Sequence, residues 1–134
     1  INSKFYDIGN DSIDLSGSVV ELSQIDSYQS GDKAISIGEN SSVYASGINI
    51  INSKIGFAVK DSSYLELLES SIKDSEIGFT VFQKKSEFNP AKADIWRYTS
   101  QNVNQEYLLE EGSTLIFDGV KADPNSVNLR DELY

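Results

Sequence analysis

The sequence predicts an all-β chain wound as a right-handed parallel β-helix, with four to five coils of about 22 residues and a C-terminal capping segment. Three observations carry that prediction. From Lys33 the chain nearly repeats itself: KAISIGENSSVYASGINIINS is followed by KIGFAVKDSSYLELLESSIKDS and then by EIGFTVFQKK. Apolar residues return at the same places in each repeat, and Asn, Asp and Ser close it. A pattern that returns unchanged pairs each strand with its own copy in the next coil, not with its neighbour in a hairpin.

The first strand of each coil is marked by Ile13, Ile35, Phe57 and Phe79, each 22 residues after the last, and by Leu15, Ile37, Val59 and Val81 beside them. Asp14, Ser36, Ala58 and Thr80 alternate with these pairs, as a half-buried strand requires. Val43 and Ala45 mark a second strand, matched by Leu65 and Leu67, and Ile50 and Ile72 mark a third. Stacking at about 4.8 Å per coil makes a prism roughly 20–25 Å long. A βαβ fold would need crossover helices, and the best helical candidate, Tyr64 to Ile72, already occupies the strand columns.

Corners are expected at Asp26-Ser27, Asn52-Ser53 and Asp74-Ser75, where residues tolerant of tight or left-handed backbone cluster. After Val81 the period breaks, and Gln83 to Asp94, carrying Lys84, Lys85, Glu87, Phe88 and Pro90, is expected to loop out. Such an insertion either lines a binding face or covers a strand edge. EYLLEEGSTLIFDG reads as a final coil, so coils occupy residues 1–118 and residues 119–134, with Asp123-Pro124-Asn125, cap the end. The opening INSKFYD reads as the middle of a repeat, which suggests a piece of a longer protein with coils upstream.

At 134 residues the chain is one domain's worth. A net charge of −10 argues against nucleic acid, and no apolar run is long enough to insert in a membrane. Cysteine is absent, so disulfides and thiol chemistry are excluded. The absence of His removes the commonest general base and the preferred zinc ligand.

One mixed-charge stripe follows from stacking the coils: Asp11 falls on Lys33, Asp14 on Ser36, and Gly17 on Glu39 and then Asp61. Asn40 precedes the level of Lys84, and Lys60, Lys84 and Lys85 join the stripe as candidates. These eight charged residues (Asp11, Asp14, Lys33, Glu39, Lys60, Asp61, Lys84 and Lys85) are the candidate binding residues, set against the plainer reading of a solvated face of mutually compensating charges. Calcium is a further expectation, since Asp7, Asp11 and Asp14 supply three carboxylates within eight residues. Asp11 and Asp14, three apart, are expected on opposite faces, which weakens that cage. Glu39 and Asp61 on adjacent coils stand at a glycosidase-like separation of about 4.8 Å, as would acids on any such stack. Tyr28, Tyr44, Tyr64, Phe82, Phe88, Trp96 and Tyr98 are candidates for a sugar-stacking platform, with at least half expected in packing.

The segments Asn10-Asp11-Ser12-Ile13-Asp14-Leu15-Ser16-Gly17-Ser18, Gly31 to Glu39 and Ile55 to Ser63, with the Gln83 to Phe88 loop, resemble the β-helix segment of bacterial proteins that carry a spore-coat-H-type kinase module. The resemblance implies a pectin-lyase-like β-helix in a secreted or surface-exposed bacterial protein. Neither a Gly-rich phosphate loop nor a kinase catalytic loop is visible. The Gly-His-Gly segment of galacturonan hydrolases and the Asp-Pro-His-Asp pattern of uronan epimerases are missing too. The arginines, Arg97 and Arg130, stand away from any acidic cluster. The expected function is therefore a non-catalytic scaffold or binding module for a polysaccharide or protein partner. The rival is the C-terminal part of a polysaccharide-active enzyme whose site lies upstream. End-to-end self-association through the N-terminal coil is a third expectation.

Overall fold

The structure is a computed structural model that describes residues 3–6 and 9–133. It is a parallel β-solenoid of about five turns, with strands about 22 residues apart. The strands are β1 (Ser3–Tyr6), β2 (Ile13–Ser16), β3 (Val19–Tyr28), β4 (Lys33–Gly38), β5 (Ser42–Ile51) and β6 (Ile55–Lys60). They continue as β7 (Tyr64–Leu67), β8 (Ser70–Phe82), β9 (Lys92–Ile95), β10 (Tyr98–Leu109), β11 (Thr114–Phe117) and β12 (Val120–Lys121), and the short helix α1 (Leu129–Leu133) follows.

Three faces result. The first stacks β2, β4, β6 and the C-terminal halves of β8 and β10. The second stacks the N-terminal halves of β3 and β5 with β7, β9 and β11. The third stacks β1, the C-terminal halves of β3 and β5, and the N-terminal halves of β8 and β10. The expected ladders are the observed ones: Ile13 pairs with Ile35, Ile35 with Phe57 and Phe57 with Phe79. Tyr107 completes the column beyond the insertion.

These ladders meet in one core, in which Ile35, Ile37, Phe57, Val59, Phe79 and Val81 are all buried. Phe57 and Phe79 stack at 5.3 Å with their planes 7° apart, and Tyr98 and Phe117 abut Phe79 edge-on at 4.9 and 5.6 Å. Ile13 and Leu15 on the first rung are only partly covered. At the other end β12 pairs antiparallel with β11, and Leu129 of α1 is buried, so the C-terminal segment covers the last coil.

Tight stacking is enforced by glycine. A Cβ at Gly78 would lie 2.6 Å from the Glu106 carbonyl oxygen, and one at Gly56 would lie 2.7 Å from the Gly78 oxygen. Backbone cannot withdraw as a flexible side chain can, so Gly78→Ala is expected to lower stability by about 1–3 kcal/mol in urea denaturation.

The corners differ in part from the expectation. Asn52 and Asp74 do turn with φ of 62° and 53°, and Asn102 follows them at 55°, its Nδ2 donating to Asp74 Oδ1 at 2.8 Å. Asp26-Ser27, however, lies inside β3, and the turn falls at Gln29-Ser30, where Gln29 has φ 59°. The cause is a one-residue shift: β3 pairs with β5 at an offset of 23, from Val19 with Ser42 to Tyr28 with Ile51. The irregular insertion is also shorter than expected, because Lys92, Ala93 and Asp94 are already β9, paired with Tyr64, Leu65 and Glu66. Ser36, Ala58 and Thr80 are fully buried rather than half-exposed. A Cβ at Gly38 would lie 2.9 Å from Lys60 Cε, so the Lys60 stem lies across the outside of this face.

Candidate functional site

Where the first face turns into the second, a cleft of about 210 Å³ opens on the outer surface. Six of the eight predicted charged residues line it: Asp14, Glu39, Lys60, Asp61, Lys84 and Lys85. The fold gathers them because Asp14 projects from the first rung, Glu39 and Asp61 follow the ends of β4 and β6, and the insertion after β8 brings Lys84 and Lys85 back over both. Asp11 and Lys33 lie beside the cleft. Asp11 Oδ1 accepts from the Lys33 backbone N–H at 3.1 Å, while Lys33 Nζ stands 2.9 Å from Asp32 and 4.0 Å from Asp11.

Asp61, 1 % exposed, is the residue that fastens the insertion. Its Oδ1 accepts from the backbone N–H groups of Lys84 at 2.7 Å and Lys85 at 2.8 Å. Two consecutive amides aimed at one carboxylate oxygen form a small anion-holding nest. The Ser62 N–H donates to the Asn89 carbonyl, and the Asn89 N–H to Ser62 Oγ, fastening the far side of the loop. Glu110 supplies a further tie that the sequence reading missed: Oε1 accepts from Gln83 N–H and Oε2 from Leu129 N–H, joining the insertion to the cap. Its place beside Phe82 is visible only once β10 is known to pair with β8 at an offset of 28.

The charges are unequal. Glu39 is held below the usual carboxylate range, chiefly by its hydrogen bond from Lys85 and then by that from Ser16. Lys85 is raised correspondingly by Glu39. Lys60 is pushed below the ordinary lysine range, first by burial and then by Lys84 and Lys33, with Asp14 and Asp11 opposing. Asp11 and Asp14 thus act on the same ammonium. Asp11 precedes β2, so strand alternation does not separate the two. Asp7 lies outside the described residues, and among the described residues no group of three or more carboxylates is gathered as a metal site.

Lys60 makes stability pH-dependent. Between its depressed folded value and its ordinary one, the unfolded chain holds more protons, so stability rises with pH there. Partial exposure keeps the effect small. Lys60→Met is expected to flatten that rise and to be the more stable protein at neutral pH, as urea midpoints across a pH series would show.

The candidate aromatics divide by face. Phe82 is fully buried, and Tyr98 packs in the core against Phe79. Tyr44, Tyr64 and Trp96 lie on the second face, with Tyr44 and Trp96 exposed. No helix among the described residues is long and apolar enough to cross a membrane.

The fold and cleft define a parallel β-solenoid with a charged groove beside its insertion. Comparison with protein-family models, curated proteins and solved structures found no match to the chain.

Proposed function

We propose that the chain is a non-catalytic β-helix binding module that holds a saccharide along its first face. The observation carrying this reading is the cleft itself, where the partly buried Lys60 shares the wall with Asp14, Glu39 and Asp61. Lysine donors and carboxylate acceptors on successive rungs suit a ligand that offers hydroxyl and acidic groups in series. Rungs repeat at about 4.8 Å, a step comparable with one sugar ring.

The state of the carboxylates supports binding over catalysis. A glycosidase acid must hold its proton, which requires a raised pKa, whereas Glu39 is lowered and tied to Lys85 and Ser16. Asp61 is occupied with the loop amides. The resemblance to β-helix segments beside spore-coat-H-type kinase modules supports placing the module in a secreted or surface-exposed bacterial protein.

The test is titration with uronate-containing and neutral oligosaccharides. Binding of the acidic series is expected, weakened about tenfold by Lys60→Met, with no release of reducing ends. Release of reducing sugar or unsaturated uronate, lost on Asp11→Asn or Asp14→Asn, would overturn the reading in favour of a polysaccharide-active enzyme.

A further inference from the structure

The second face presents a different chemistry from the cleft. Its outward column runs Glu21, Tyr44, Glu66 and Asp94, each paired in register with the next. Tyr44 therefore has an acidic residue on the rung to either side, with rungs spaced about 4.8 Å apart. Around it lies a hollow of about 280 Å³ lined by Glu21, Leu22, Tyr44, Glu66 and Leu68, with no lysine or arginine in its wall. Tyr44 is 42 % exposed and Leu68 40 %.

Two features show what such a hollow lacks. Among the described residues Glu21 and Glu66 have no hydrogen-bond or ion-pair partner, although the charged groups of the first face are largely paired. One rung on, the protein supplies its own cation: Lys92 Nζ stands 5.8 Å from the centre of the Tyr64 ring. Tyr64 meets Tyr44 edge-on at 6.1 Å. Burial, and then Glu66 and Asp94, raise the Tyr64 hydroxyl, as a locally negative face requires. Tyr64 thus has an ammonium, and Tyr44, between two uncompensated carboxylates, has none.

We propose that this hollow is the docking site for a basic segment of a partner protein, with an arginine or lysine side chain lying on Tyr44 between Glu21 and Glu66. The aliphatic stem of that side chain meets Leu68, and its cationic head meets the carboxylates. A neutral sugar would use the ring but would leave the two charges uncompensated. The chain's net charge of −10 adds long-range attraction for a basic partner.

A hexa-arginine peptide and spermine, titrated calorimetrically into the whole chain at physiological salt, test the proposal. Peptide binding is expected to weaken about tenfold with Tyr44→Ala and with Glu66→Gln. It should change by less than about twofold with Glu111→Gln, an exposed acid near the C-terminal cap. Lys60→Met should leave it unchanged, which separates this site from the first-face cleft. Circular dichroism checks that each variant is folded, and Glu21→Gln gives an independent reading if Tyr44→Ala is not. No peptide binding, or equal weakening by Glu111→Gln, overturns the proposal. So does spermine binding as tightly as the peptide with the same sensitivity to Tyr44, or Tyr44-dependent binding of a neutral oligosaccharide without any of the peptide.

Discussion

Phe79→Ala is expected to be the most damaging single substitution in the chain, lowering stability by about 3–5 kcal/mol. Phe79 is fully buried and stands where all three faces meet. It stacks on Phe57, takes the edges of Tyr98 and Phe117, and pairs through its strand with Tyr107, 28 residues later in the sequence but one rung away in space. Truncation removes the ring from water-free packing and leaves a cavity between rungs, which backbone ladders on either side prevent from collapsing. Against a typical domain stability of about 5–15 kcal/mol, that loss threatens folding at ordinary temperature. Urea denaturation measures it. A loss below about 1 kcal/mol would mean that the stacked rings contribute far less than their burial implies.

Asp61→Ala is expected to release the insertion. Two backbone N–H groups lose a charged acceptor, and hydrogen bonds of that kind contribute about 1.5–3 kcal/mol. The loss should be local as well as global. The loop retains its Asn89 and Glu110 ties, but Lys84 and Lys85 come free of their anchor. Rapid cleavage by trypsin after Lys84 or Lys85, with faster amide exchange across 83–91, is the expected result, and saccharide binding in the cleft should weaken with it. Unchanged proteolysis in the folded variant would show that Asn89 and Glu110 hold the loop without Asp61.

Much of the fold was legible because a solenoid writes its register directly into the sequence. Ile35, Phe57 and Phe79 pair as their spacing says, since each rung rests on a copy of itself and one offset serves several coils. The reading failed where one face kept a different offset from the next. The extra residue between β4 and β5, relative to the shorter link between β2 and β3, moved a corner from Asp26-Ser27 to Gln29-Ser30, and nothing in the local composition marks that shift. The insertion was recognisable as a break in period, but its end was not, because Lys92 to Asp94 carries too short a pattern to declare a strand before its partner Tyr64 to Glu66 is in place.

The site divides in the same way. Stacking by 22 residues was enough to bring Asp14, Glu39, Lys60 and Asp61 to one surface, and the structure puts Lys84 and Lys85 with them. Glu110 escaped notice because its column resumes only after the insertion. The Glu21, Tyr44 and Glu66 column was hidden for another reason: its members share no chemistry, so no repeat advertises them, and only pairing across β3, β5 and β7 makes them neighbours.

The architecture and the inward ladders follow from the residues alone, because both depend on a period that local residues record. Which charges are satisfied, and which of them share the cleft, is set by folding in three dimensions. Whether a carboxylate meets an amide, an ammonium or nothing depends on how a loop folds back over the stack, as Lys84 and Lys85 do over Asp61, and on which face a strand presents, as β5 does with Tyr44. Those are contacts between rungs and insertions, and a one-dimensional period does not contain them.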